Sequence, residues 1–110
     1  MTKIYQITIE AHGLELKQEL VASIYSEIDS RARKLSNGKF DNELRISMDA
    51  KDPFRIHIVV TEHMAQSLIS ALQEAINNAS GIGLRSHLNR LQELLMAEMF
   101  ADARDVIQVG

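Results

Sequence analysis

Residues 54–61 read Phe-Arg-Ile-His-Ile-Val-Val-Thr, and this stretch decides the fold. Every second side chain from Phe54 onward is apolar, which is the period of a strand with one buried face. Residues 44–48 alternate in the same way, and the polar loop 49–53 joins the two runs as a hairpin. Because 54–61 is the most apolar of the strand patterns, we expect it at the centre of the sheet.

The segments before this hairpin predict a strand followed by a long helix. Residues 3–11 alternate like a strand, and apolar residues recur every three or four positions from 16 to 35, the spacing of one helix face. The Ser-Asn-Gly at 36–38 supplies residues that tolerate the left-handed conformation in which many helices end. The chain therefore enters the hairpin through a strand and a helix.

Two helical patterns follow the hairpin. The first runs from 62 to 80, and Thr61 is expected to accept a backbone N–H as its N-cap. The Gly-Ile-Gly at 81–83 marks a break, after which the second pattern runs from 84 to 105. Residues 106–109 are expected either to fray or to add a short fourth strand.

This order of elements, β-α-β-β-α-α, predicts an α+β fold with one mainly antiparallel, three-stranded sheet. A right-handed crossover and a central last strand give the strand order 1-3-2, with the helices packed on one face. The predicted architecture is a split βαβ sandwich related to the ferredoxin-like fold. In element order, residues 3–80 resemble the βαββα regulators of the DinI family, but residues 62–80 lack the strongly acidic last helix of that family.

The composition is that of one ordinary globular domain. The chain has 110 residues, of which 45% are hydrophobic and 25% charged, so it has enough apolar surface for one core but not for two. We expect residues 1–80 to form a βαββα core and residues 84–105 to form an added helix. The absence of cysteine favours a reducing, cytoplasmic location. No apolar run in the sequence resembles a secretory signal or a membrane span.

The last helix carries more apolar residues than one stripe can hold. A helix that is apolar over so wide an arc needs cover on two sides, and a small three-stranded domain is expected to cover only one. A second copy of the chain, in a two-fold homodimer, is expected to cover the other. A different protein is the alternative to a second copy, since Met and Phe adapt well to contacts. The expected interface consists of Leu88, Leu91, Leu95, Met96, Met99 and Phe100.

Basic residues suggest the second hypothesis, which is nucleic-acid binding. One group closes the first helix, and two arginines are expected on the polar face of the sheet, where they would contact phosphates. The net charge of -3 and the lack of aromatic residues on that face favour solvated surfaces instead. Reversing a charge in the helix group is accordingly expected to leave folding unchanged. The residues expected to contact nucleic acid under this hypothesis are Arg31, Arg33, Lys34, Arg45 and Arg55.

No motif in the sequence predicts catalysis, a metal site or a cofactor. The histidines lack the four-residue helical spacing of a zinc site, and Asp49 and Asp52 supply too few oxygens for a divalent cation. No serine lies in a nucleophile elbow, and residues 81–83 follow a helix where a phosphate-binding turn would follow a strand. A site shared across a dimer interface, around His57 and His63, is the enzymatic alternative.

The sequence thus favours a small non-enzymatic binding or regulatory protein, an accessory factor or inhibitor that acts through protein–protein contact. Its partner is expected to be another protein, or a second copy of the chain, before nucleic acid, and no contact with a membrane is expected. Nucleic-acid binding and a catalytic site at a dimer interface are the alternatives.

Overall fold

The computed structural model describes the backbone of residues 2–109 and the side chains of residues 2–101. Within this range the strands and helices follow one another in the predicted order. Two short 3-10 turns, His12–Leu14 and Asp41–Glu43, precede the first helix and the second strand. The elements are β1 (Ile4–Glu10), α1 (Gln18–Leu35), β2 (Leu44–Met48), β3 (Arg55–Thr61), α2 (Glu62–Asn78) and α3 (Ile82–Val109).

The strand β3 is the centre of a three-stranded sheet in the order β1-β3-β2, and it pairs antiparallel with both neighbours. Its alternation turns Ile56, Ile58 and Val60 inward, and each of these side chains is at most 1% exposed. A central strand loses solvent on both edges as well as on one face, so the most apolar pattern belongs there. The predicted strand order and fold class are confirmed.

The helices of the described region cover one face of the sheet and leave the other face open. α1 packs against β2, α2 against β3 and α3 against β1. On the open face the strand residues are exposed or half-buried, whereas those on the helix side are mostly buried. Apolar side chains from all three strands and all three helices meet in one continuous core, as expected for a sheet that buries one face under helices.

The end of α1 follows the predicted chemistry. Asn37 and Gly38 have φ angles of 57° and 72°, both in the left-handed region. The N–H of Gly38 donates to the carbonyl of Arg33 at 3.1 Å, five residues back, which satisfies a carbonyl of the last turn. The Ser-Asn-Gly signal was therefore sufficient to predict this boundary.

The start of α2 differs from the prediction. Thr61 has the extended backbone of an N-cap residue, but its side chain makes no capping hydrogen bond. Its hydroxyl instead donates to Oε1 of Glu43 at 2.7 Å. A carboxylate acceptor makes a stronger hydrogen bond than a neutral partner does, and it lies 18 residues away, where no local pattern reveals it.

The last helix is longer than predicted. α3 begins at Ile82 and runs through Val109, 28 residues in all, so residues 106–109 form no fourth strand and that alternative was wrong. After Gly83 the sequence has no Gly or Pro up to residue 109, and each added residue contributes a backbone hydrogen bond to a helix already formed. Among the described residues, no helix is both long enough and apolar enough to cross a membrane.

Arg33 ties the end of α1 to the edge of the sheet. Its Nε donates to Oδ1 of Asp29 at 2.8 Å, and its Nη2 donates to the carbonyl of Leu44, the first residue of β2, at 3.0 Å. Its Nη1 donates to the carbonyl of Asp41. The expectation of a solvated arginine is therefore wrong for this residue, because its guanidinium binds a carboxylate and two backbone carbonyls.

Replacing Arg33 with Glu is expected to lower the free energy of unfolding by about 2 kcal/mol, because charge-assisted hydrogen bonds are lost and a carboxylate is placed beside Asp29. Urea unfolding followed by circular dichroism measures the change. The matched control is Lys34→Glu, since Lys34 is exposed and makes no ion pair with a described residue. The control should stay within about 0.5 kcal/mol of the wild type. Equal losses in both variants would contradict the structural role of Arg33.

Candidate functional site

The open face of the sheet is a layer of paired polar side chains. The register sets Glu10 opposite Arg55 and Thr8 opposite His57. Arg55 donates to Oε1 of Glu10 at 2.9 Å, and the His57 ring lies 3.1 Å from the Thr8 hydroxyl and 3.3 Å from a carboxylate oxygen of Asp49. These groups satisfy one another across the strands and between β3 and the hairpin loop.

Thr8, His57 and Asp49 form a hydroxyl–imidazole–carboxylate chain, the set of groups found in nucleophilic triads. The backbone N–H of Lys51, followed by the His57 side chain, lowers the pKa of the Asp49 carboxyl and keeps it ionised. The chain nevertheless lies on the open sheet face, and no described residue walls it off from water. Acyl transfer needs a closed site that stabilises a developing oxyanion, and this surface offers none.

A second polar cluster lies where β1 ends and the hairpin loop returns. The His12 ring is 2.9 Å from a carboxylate oxygen of Asp52 and 3.6 Å from one of Glu10. Together they place three possible metal ligands within 4.8 Å of one another, a grouping that the sequence did not predict because 40 residues separate His12 from Asp52. Glu10 already pairs with Arg55, so we interpret the cluster as a polar link between the end of β1 and the hairpin loop.

The two histidines of the enzymatic alternative do not come together. His57 lies in the middle of β3, and the rest of that strand carries the chain about 13 Å away from it before α2 begins. His63 is in the first turn of α2, with its Nδ1 3.1 Å from Glu43. The hydroxyl of Thr61 and, to a smaller extent, His63 lower the pKa of the Glu43 carboxyl. Each histidine thus belongs to its own network.

The basic residues of the nucleic-acid hypothesis do not form one patch either. Arg45 and Arg55 belong to the open face of the sheet, whereas the α1 members of the group lie in the helix layer behind it. Arg31 has its Nε 3.5 Å from Glu74, so it too is paired. Of the five predicted residues, only Lys34 and Arg45 make no ion pair with any described residue, and they lie on opposite sides of the sheet.

The predicted interface on α3 is divided by the fold. Leu88, Leu91 and Leu95 are at most 1% exposed and belong to the core. The expectation that they contact a partner is corrected, because α2 and β1 of the same chain cover this side of the helix. Met99 also packs against the core, although it is only partly buried.

The part of the predicted interface that is accessible is a short ridge near the end of the described side chains. Phe100 is 58% exposed, and Met96, one turn before it, is half-buried outside the core cluster. Glu93 is exposed on the same side of the helix, three residues before Met96. We call Glu93, Met96 and Phe100 the α3 ridge. Phe100 and Met96 are the two predicted interface residues that a partner can reach.

Leu91 and Met96 are expected to differ sharply when truncated. Leu91→Ala leaves a cavity in the core and is expected to lower the free energy of unfolding by about 3 kcal/mol. Met96→Ala removes a half-buried side chain and is expected to cost less than about 1 kcal/mol. Urea unfolding of both variants checks the difference, and a Leu91→Ala protein as stable as Met96→Ala would place Leu91 at a surface after all.

A groove of about 480 Å³ runs between α1 and α2 and reaches the first turns of α3. The side of α2 that lines it carries alanines at four-residue spacing, whose short side chains leave a depression beside α1. Its rim is charged, with Glu27, Arg31 and Lys34 on α1 and Glu74 on α2. The apolar lining consists of Ile24, Ile28, Ala71, Ala75, Leu84 and Leu88.

A buried hydrogen bond joins α1 to α3 beside this groove. The hydroxyl of Tyr25 lies 2.6 Å from Nε2 of His87, and the two rings meet edge to face. Burial raises the pKa of Tyr25 and lowers the pKa of His87, so the hydrogen bond joins a neutral phenol to a neutral imidazole. The sequence analysis missed this pair, because 62 residues separate its members and each simply continues an apolar helix face.

The pair is expected to make stability depend on pH. Because burial lowers the pKa of His87 in the folded state, the unfolded chain binds the proton more readily. The free energy of unfolding should therefore fall as the pH drops below about 6.5, by at most about 1.4 kcal/mol per pH unit from this group. Urea unfolding at several pH values should show a shallower decline in His87→Leu than in the wild type, and parallel declines would contradict the assignment.

The sequence matches no known family model, and neither the curated proteins nor the solved structures contain a significant match to it. The resemblance to the DinI family is therefore one of element order alone. Function has to follow from the geometry of the surfaces described above.

Proposed function

We propose that this protein is a small non-enzymatic binding protein, an accessory factor or inhibitor that acts through protein–protein contact at the α3 ridge. The observation that carries the proposal is the 58% exposure of Phe100 next to Met96, on a helix whose other large apolar residues mostly pack into the core. An aromatic ring that is this exposed contributes little to the stability of the core of its own domain. Phe and Met are enriched in protein interfaces, where they act as anchors.

The charges around the ridge favour a partner with a basic rim. Glu93 lies on the ridge itself and is exposed. The chain as a whole carries a net charge of -3. A partner that holds Phe100 in an apolar pocket bordered by Lys or Arg would match both the shape and the potential of this segment.

Two further observations support a binding role over the alternatives. The triad-like chain around His57 lies on an open face where no described residue excludes water, which disfavours catalysis. The basic residues proposed for nucleic-acid contact are mostly paired with carboxylates and lie on two sides of the sheet. The α3 ridge is the surface with exposed anchors and no such internal partner.

Photocrosslinking at position 100 tests the proposal. A benzoylphenylalanine in place of Phe100 should give a discrete protein adduct in the native host, and Met96→Glu should reduce that adduct at least tenfold. The control carries the same group in place of Ile82, which is 85% exposed on the same helix about five turns away. No adduct from position 100, or the same adducts from both positions, would contradict a specific contact at the ridge.

A further inference from the structure

β1 lies at an edge of the sheet, and its outer side carries backbone groups that no described residue binds. The N–H of Ala11 donates to the carbonyl of Phe54 at 2.7 Å, and the N–H of Glu62 donates to the carbonyl of Lys3 at 3.0 Å. In an antiparallel pair every second residue bonds to the neighbouring strand, so the odd-numbered residues of β1 face β3. The backbone groups of the residues between them point outward, and we call these groups the β1 edge. The residues that form it are Ile4, Gln6, Thr8 and Glu10.

The opposite edge of the sheet is protected, whereas the β1 edge is not. β2 has only five residues, and Arg33 already donates to the carbonyl of Leu44 at 3.0 Å. β1 has seven residues, and its register with β3 runs without a bulge. Within Ile4–Glu10 the sequence has no Lys, Arg or Pro, the residues that block pairing at many natural edges. A long, regular edge without such protection is suited to receive another strand.

We infer that the β1 edge binds an extended segment of another protein as a fourth, antiparallel strand of the sheet. The edge presents N–H donors and C=O acceptors in alternation, and an extended backbone carries the complementary groups at the same spacing. Antiparallel pairing continues the pattern of the existing sheet. The new strand also gives a neighbour to Ile4, which is 59% exposed on the open face.

A second copy of the chain does not fit the β1 edge, because α3 packs against β1 on the helix side of the sheet. Two β1 strands paired about a two-fold axis would lie about 4.8 Å apart. The α3 helices of the two copies would then meet on the same side of the sheet, where packed helix axes need about 8–10 Å. The occupant is therefore a strand that carries no helix above it, which is what an extended segment provides.

The sequence of β3 shows what kind of segment complements β1. In β3, Arg55 pairs with Glu10 and His57 stands opposite Thr8. The N–H of Asp49 donates to the carbonyl of Arg55 at 2.9 Å, so the odd-numbered residues of β3 use their backbone groups toward β2. A free peptide with the β3 sequence can therefore turn these same residues to the β1 edge in an unchanged register. Polar or basic residues would alternate with apolar ones in such a segment.

Binding of a synthetic peptide tests the β1 edge. The probe is a fluorescein-labelled peptide with the sequence of residues 54–61 and flanking lysines for solubility, and fluorescence anisotropy measures its binding to the wild-type chain. N-methylation of His57 in the peptide removes an N–H that faces the β1 edge and should weaken binding at least about tenfold. N-methylation of Ile58 in the peptide, whose N–H faces away, is the matched control and should change binding less than about threefold. No saturable binding, or equal binding of the two methylated peptides, would overturn the inference.

Substitution of Gln6 gives the complementary test on the protein. The N–H of Gln6 points outward and its side chain is exposed, so a proline there removes no hydrogen bond between β1 and β3. Gln6→Pro should keep the circular dichroism spectrum and lose the peptide, whereas Gln6→Thr keeps the N–H and should bind as the wild type does. Unchanged binding by a folded Gln6→Pro protein would rule out pairing at this edge. If Gln6→Pro does not fold, the two methylated peptides with the wild-type chain decide the question.

Amide hydrogen exchange followed by NMR locates the bound peptide. The amides of Gln6 and Thr8 should exchange rapidly in the free protein and slowly in the complex, while the amide of Ile7, which faces β3, should be protected in both. Slow exchange of Gln6 and Thr8 in the free protein would show that the edge is already covered, which contradicts the inference.

This inference goes beyond the proposed function, because the β1 edge and the α3 ridge share no residue. Phe100→Glu should bind the peptide as the wild type does, although its own partner contact is lost. Failure of the α3 proposal and failure of the β1 inference therefore give different results.

Discussion

The pairing of β3 with both of its neighbours is the constraint on which the rest of the structure depends. β3 has a ladder on each edge, and its inner residues Ile56, Ile58 and Val60 are almost completely withdrawn from water. The helices pack on the face that these residues form, and each contacts a different strand most closely. Amphipathic helices of this length are marginal alone in water, so their stability comes largely from that shared apolar face.

Because the helices all pack on one face of the sheet, the molecule has two different surfaces, the open face of the sheet and the outer side of the helix layer. On the open sheet face, polar side chains are engaged in cross-strand pairs, such as Glu10 with Arg55, so few of them are free to bind a ligand. The helix layer, in contrast, has more apolar surface than a three-stranded sheet can cover. Among the described residues, the excess appears on α3, at Ile82 and Phe100, and on α1, at Leu20 and Leu35. Exposed anchors of this kind are typical of proteins that act by contact.

Much of the fold was predictable, because it rests on local periodicity. The apolar pattern of 54–61 predicted the central strand, and the Ser-Asn-Gly after α1 predicted the end of that helix. The candidate site was predicted less well. Of the predicted interface residues, Phe100 and Met96 lie outside the core cluster, whereas Leu88, Leu91 and Leu95 fill the core. Apolar spacing indicates that a side chain is buried, but it does not indicate whether the same chain or a partner chain buries it.

By itself the sequence determined the type, order and approximate ends of the elements, since two-residue and 3.6-residue periods are properties of neighbouring positions. Only the tertiary structure decided which polar groups are paired, because those partners are distant in the chain. Thr61 turns to Glu43 instead of capping its own helix, and Tyr25 meets His87 across 62 residues. The same holds for the apolar residues: packing of α3 against α2 and β1 buries Leu88, Leu91 and Leu95, whereas Leu20 and Leu35 on α1 are exposed. The burial of a side chain depends on which residues the fold packs against it, and the spacing of apolar residues in the sequence does not give that information.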